Sequence, residues 1–156
     1  ERNRRSKQLD LATQAEAGKK DVRTVSKRDV FMLGLGLYWG EGYKRGSQEC
    51  ALTNSDPAII RIFLRWIDEC YGVGMDRITA RLTINILYKE HVERIARKWS
   101  RETSIPLSQF APPAFIQGYG VTTRDPETYR GTLRVKVRNG TSLRRRILAS
   151  IAALKD

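Results

Sequence analysis

Apolar positions in this chain follow two periods. Four stretches repeat every three to four residues, the spacing of one face of an α-helix. The first is the run 30–39, which stops at Glu41–Gly42. The second carries Ile59, Ile60, Phe63, Leu64 and Ile67, with Arg61, Arg65 and Asp68 between them. The third, over 90–103, turns Val92, Ile95, Ala96 and Trp99 inward, and the fourth carries Leu143, Ile147, Leu148, Ile151 and Leu154. Start signals precede them. Ser26 with Asp29 three residues on forms a capping-box pattern. Asp56 can cap the second helix, and Pro57 suits its first position. Asn139-Gly140-Thr141 opens the last helix.

Elsewhere the period is two. Over 77–86, Ile78, Ala80, Leu82, Ile84 and Ile86 alternate with Arg77, Thr79, Arg81, Thr83 and Asn85. That is the signature of a half-buried antiparallel strand. Residues 132–138 repeat it, with Leu133, Val135 and Val137 inward and Thr132, Arg134, Lys136 and Arg138 outward. Residues 43–54 read as a short hairpin turning at Gly46–Ser47. The class is therefore α+β. Residues 104–131 read as a long irregular stretch, with Pro106, Pro112, Pro113 and Pro126; Phe110, Phe115, Tyr119 and Tyr129 are expected to pack it onto the body. Residues 1–25 read as a basic arm or linker, weakly helical and broken at Gly18 and Lys19–Lys20; 26–156 form the domain proper. The first residue is Glu1 rather than Met, so a segment trimmed from the N-terminus is expected.

Length bounds this to one domain of 156 residues. Charge changes the picture more. The 29 Lys and Arg outnumber the 17 Asp and Glu, giving +12, an excess that points to a polyanion such as nucleic acid. Cys50 and Cys70 do not form a CxxC pair and read as reduced, buried and structural. No apolar run approaches membrane-spanning length, and no signal peptide is visible, so a cytoplasmic, nucleoid-associated location is expected. His91, the single histidine, sits among charged residues and reads as a solvated side chain.

The stretch 33–42, LGLGLYWGEG, is the most informative. Gly36 and Gly40 share one helical face, which lets a second helix approach closely. Gly42 is expected to end the helix in a left-handed conformation. Glu41 is then the last side chain before the stop, at the negative end of the helix dipole, where an acid calls for a nearby cation. Two such helices packed through their glycine faces would gather two Glu41 carboxylates, a cluster that suits a divalent metal such as Mg2+. The plainer alternative is a buried helix with a solvated terminal Glu.

The alternating strands expose Arg77, Arg81, Arg134, Lys136 and Arg138 with no acid among them. A one-sign face is relieved by phosphate, and the interleaved Thr79, Thr83, Asn85 and Thr132 can bond base edges. A β-ribbon fits the major groove of B-form DNA and not that of A-form RNA. The faces lack the stacking aromatics of single-strand binders, so duplex DNA is the expected partner.

Taken together, these elements resemble the LAGLIDADG homing-endonuclease family. The family motif maps onto 34–42, GLGLYWGEG. Glu41 falls on its final acid, the catalytic metal ligand; Gly42 falls on its final glycine; Gly36 and Gly40 fall on the small positions where motif helices pack. Lys89 sits where many members carry a lysine near the active site. The resemblance implies a curved antiparallel sheet, a saddle, backed by helices, with the motif helix at the dimer interface. Since the chain holds one motif, it implies a homodimer reading a pseudo-palindromic site. It also implies Mg2+- or Mn2+-dependent hydrolysis of double-stranded DNA, with Glu41 holding the ions and Lys89 assisting. Lys44 and Arg45 join the strand residues as candidate DNA contacts. The sequence departs from the pattern in three places: Glu replaces the commoner Asp at 41, Trp39 replaces an earlier acid, and 77–87 contains no turn. The fourth strand is then expected at 132–138. Relatives of this fold also serve as non-cleaving transcription regulators, often joined to a helix-turn-helix, and some assist RNA splicing.

Overall fold

The computed structural model describes residues 2–46, 48–118, 125 and 127–155. Ser47, Tyr119 and Pro126, which figure in the expected hairpin and loop, lie outside the described residues. Five helices and four strands occur among those described, and the class is α+β.

The first helix, α1 (Arg2–Val22), is exposed from Asn3 to its end. The break expected at Gly18 does not occur. A glycine in a solvated helix costs about 1 kcal/mol, which weakens a helix without stopping it. An ion pair from Lys19 to Glu16 at 2.7 Å spans that turn. The helix ends at Arg23, whose φ is 50°.

The motif helix, α2 (Lys27–Glu41), starts with the expected capping box. The Asp29 N–H donates to Ser26 Oγ at 3.2 Å, and the Ser26 N–H donates to Asp29 Oδ2 at 2.8 Å. Its buried side, Val30, Gly34, Leu35 and Tyr38, packs on α3 (Pro57–Tyr71). The contact is close because Gly34 has no side chain: a Cβ there would overlap the Trp66 indole. Asp56 and Pro57 start α3 as expected, and Gly72 ends it in the left-handed region at φ 66°.

Two expectations about the exit from α2 are corrected. Gly42 is extended, with φ −75° and ψ 162°, so it is not a left-handed cap. It must be glycine because a Cβ would come within 2.5 Å of the Tyr38 ring. The expected hairpin over 43–54 is reduced to its second half, β1 (Ala51–Asn54). Its first half survives as a bridge between Gly42 and Leu52 and one bond from the Tyr43 N–H to the Ala51 carbonyl, 3.0 Å. The reason is Arg144, 93% buried, which donates to the Tyr43 carbonyl at 3.0 Å and the Lys44 carbonyl at 2.6 Å. A ladder would need those acceptors.

The alternating segments fold as β2 (Ile78–Asn85) and β4 (Thr132–Val137), paired antiparallel at the centre of the sheet. Residues 132–137 are therefore the fourth strand. The sheet order is β1-β4-β2-β3. The last member, β3 (Phe110–Ile116), lies in the stretch expected to be irregular and runs parallel to β2. The sheet is thus mixed, not wholly antiparallel. Pro112 and Pro113 fit because β3 is an edge strand, where missing N–H donors face outward. The pairing slips by one residue across them, from Arg81↔Ala111 to Thr83↔Ala114, so a bulge takes up the proline pair.

Helices α2, α3, α4 (Val92–Thr103) and α5 (Thr141–Ala152) share one core with the inward residues of β1, β2 and β4. Phe63, Trp66, Trp99 and Leu133 are fully or almost fully buried in it. All this packing lies on one side, so among the described residues the opposite face of the sheet has no helix over it. Among the described residues no helix is long and apolar enough to cross a membrane.

Candidate nucleic-acid interface

Strand register decides which outward residues meet. Arg81 lies directly opposite Arg134, Thr79 opposite Lys136 and Thr83 opposite Thr132; on the other side of β4, Thr53 faces Arg134. These residues form the middle of the open face. Like charges placed opposite each other on adjacent strands repel. Arg81 is exposed and has no ion pair among the described residues.

The expectation of an acid-free face is overturned by Glu49. This residue sits just before β1. Its Oε1 accepts from Lys136 Nζ at 3.0 Å, and its Oε2 pairs with the Arg134 guanidinium. Arg134 also lies over the Tyr43 ring, 5.2 Å from its centroid, and the Tyr43 hydroxyl bonds the Thr53 hydroxyl at 2.9 Å. Glu49, Thr79, Arg81, Ala111, Arg134 and Lys136 line a shallow pocket of about 240 Å3 in the sheet face. Glu49 belongs to neither alternating strand; it lies in the second arm of the expected 43–54 hairpin, just ahead of β1. The available signal was parity: it lies an even number of residues from Thr53, so it points to the same side.

Four other candidates have different jobs from those expected. Asn85 is 5% exposed, and its side-chain oxygen accepts from the Leu87 N–H at 3.0 Å, capping the turn that follows β2. Arg77 donates to the Arg138 carbonyl at 2.9 Å, and Arg138 donates to the Asp76 carbonyl; the two clasp one end of the sheet instead of standing free on its face. Lys44 folds back to the Gly40 carbonyl at 3.0 Å and to that of Trp39. It thus places a cation against the carbonyl end of α2. Arg45 is exposed, beyond that end.

Glu41 is exposed at the end of α2, where the chain enters the bridge to β1. Lys89 is exposed too, but at the other edge, with its ammonium 5.8 Å from the centroid of the Phe115 ring of β3. Three inter-strand spacings of roughly 4.8 Å separate those edges, about 14 Å. One chain therefore does not bring Glu41 and Lys89 together. Nor does it supply Glu41 with companion carboxylates: no group of three or more His, Cys, Asp or Glu suited to a metal occurs among the described residues. Mg2+ is commonly held by one or two carboxylates plus substrate phosphates. Glu41 offers one such carboxylate.

The outward side of α2 is apolar. Met32, Leu33 and Trp39 are exposed at 36%, 52% and 44%, and Gly36 and Gly40 are exposed on the same helix. A Cβ on either glycine would meet nothing within 4 Å. Beneath this helix, burial pushes the Cys50 thiol up to about 12 and raises the Tyr38 hydroxyl as well. Both stay neutral and structural. The chain matches no family model, no curated protein and no solved structure.

Proposed function

We propose that two copies of this chain bind double-stranded DNA sequence-specifically across their open sheet faces and cleave it with divalent metal, in the manner of a LAGLIDADG-type homodimer. The observation that carries the binding half is the placement of Arg81 opposite Arg134 on a face with no helix over it. A phosphate or a guanine edge between them removes their repulsion and gives each guanidinium the acceptors it prefers. The dimer half rests on the apolar side of α2, where glycines leave room for a second helix. Pairing through that side brings two Glu41 carboxylates into reach of one DNA backbone. Bound there, Mg2+ or Mn2+ would activate water and stabilise the leaving oxygen.

A second reading has its own support. Because Lys89 stands at the edge of the sheet away from Glu41, the carboxylate lacks the assisting lysine that the resemblance implied. A protein with this arrangement serves equally as a non-cleaving regulator. One experiment separates the two. Wild type and Glu41→Gln are incubated with a duplex library and Mg2+ or Mn2+, and binding and strand scission are both scored. The nuclease reading expects metal-dependent double-strand cuts that Glu41→Gln abolishes while binding survives. Tight, sequence-specific binding with DNA intact under every metal establishes the regulator instead. No duplex binding at moderate salt sinks both.

A further inference from the structure

We infer that Glu49 is the specificity-determining residue of the sheet face, holding Arg134 in a base-reading orientation and masking part of the positive charge that would otherwise grip any DNA. This rests on the duplex-DNA reading above and goes further, to which residue makes the binding selective.

The geometry carries it. One carboxylate bridges two cations two residues apart on β4, Arg134 and Lys136. Arg134 is held from two directions: Glu49 takes one edge of the guanidinium, and the Tyr43 ring lies against its face at 5.2 Å. Its Nε is buried with no hydrogen-bond partner among the described residues, so the donors left for a ligand are those on the outer edge of the guanidinium. The backbone beneath is equally fixed, since β4 is flanked by β1 and β2. A guanidinium held this way presents its remaining N–H donors in one direction. Bidentate recognition of a guanine edge needs that, because it depends on angle as well as charge. Arg81, directly across the strand pair, has no such anchor and is free to follow phosphate.

Glu49 also sets the electrostatics. Without it, Arg81, Arg134 and Lys136 form an acid-free triplet lining one pocket. Such a triplet binds polyanions by counterion release, which is blind to sequence. A base-reading site selects by geometry, and a carboxylate beside the arginine also penalises duplexes that leave it facing phosphate or guanine oxygen without a donor.

The test compares wild type, Glu49→Gln and Glu49→Asp. Dissociation constants are measured by fluorescence anisotropy over a salt series, on a duplex selected by the wild type and on its scrambled counterpart. Glu49→Gln is expected to bind the scrambled duplex more tightly and to lose about tenfold or more of the selected-to-scrambled ratio, the worth of one good bidentate base contact. Its log K against log salt slope should steepen by roughly 1 to 2, as one or two released cations engage phosphates. Glu49→Asp keeps the charge but is too short to bridge both cations. It should lower the ratio while steepening the slope less than Glu49→Gln does, and it carries the test if Glu49→Gln does not fold. A purely structural role for Glu49 moves stability but not the salt slope. An unchanged ratio and slope in a folded Glu49→Gln, with wild type binding DNA, overturns the inference and leaves the DNA-binding reading standing. So does an equal loss of affinity on both duplexes. Wild type that binds neither duplex overturns that reading as well.

Discussion

The four glycines of the 34–42 stretch are alike in the sequence and do different work. Gly34 lets the α2 backbone lie against the Trp66 indole, and Gly42 lets the chain pass the Tyr38 ring. At Gly36 and Gly40 an added Cβ would meet nothing within 4 Å. Gly34→Ala forces a methyl into the rigid body of a buried ring, where the nearest atoms cannot swing away. Overpacking of this kind costs about 1–3 kcal/mol. The expected outcome is a clear fall in Tm by calorimetry or circular dichroism. An unchanged Tm would show that α2 and Trp66 separate easily, against the close packing described. The same residue-level view explains the cations. Arg144 and Lys44 look from the sequence like two more members of a basic surface, yet both are tied to backbone carbonyls around the end of α2. Charge counting sees +12; only the fold sorts the cations that are committed from those that are free.

Among elements, α2 has the clearest local specification. Ser26 and Asp29 satisfy each other's backbone N–H groups, and the hydrogen bonds from Ser26 hold the Asp29 carboxyl below its ordinary range. Ser26→Ala removes the cap and should cost about 1 kcal/mol. A lowered folded-state pKa means that the unfolded chain binds the proton first. The contribution is therefore complete above the ordinary carboxylate range and lost as pH falls through the lowered value. Urea midpoints of wild type and Ser26→Ala should differ more at neutral pH than in acid, where only the bond from the Asp29 N–H to Ser26 Oγ remains to be lost. A constant difference from pH 7 to pH 3 would remove Asp29 from the account. Elements of this kind were legible in the sequence, since caps and periods are local. The starts of α2 and α3, strands β2 and β4, and the inward faces of α3 and α4 all follow from residues a few positions apart. What was not legible depends on distant partners. Strand β3 is hidden by its prolines and exists because β2 offers an edge. The hairpin fails because Arg144, about a hundred residues away in sequence, takes its acceptors. In the candidate interface the register that sets Arg81 against Arg134 required the sheet, and placing Glu49 beside Arg134 required knowing that β1 pairs with β4.

At the scale of the whole molecule, one-sided packing leaves the outer sheet face and the outward side of α2 without a helix against them among the described residues, although the Lys155 ammonium lies 5.4 Å from the Trp39 ring centroid. The second allows a sharp test of the dimer, because its requirements oppose those of the monomer. A glycine in an exposed helix is about 1 kcal/mol worse than alanine. Since a Cβ at position 36 meets nothing within 4 Å, Gly36→Ala should stabilise the isolated chain by up to that amount. Between two α2 helices packed backbone to backbone, the same methyl has no room and should weaken association. Light scattering over a concentration series, with and without duplex DNA, reads association; Tm at low concentration reads the monomer. The homodimer predicts a raised Tm at dilution together with a dissociation constant at least about tenfold weaker, a difference of roughly 1.4 kcal/mol. A raised Tm with association unchanged would move the interface away from α2. Two Glu41 carboxylates would then have no shared place to meet, and the metal-dependent reading would lose its geometry, while Arg81, Arg134 and Glu49 would keep theirs.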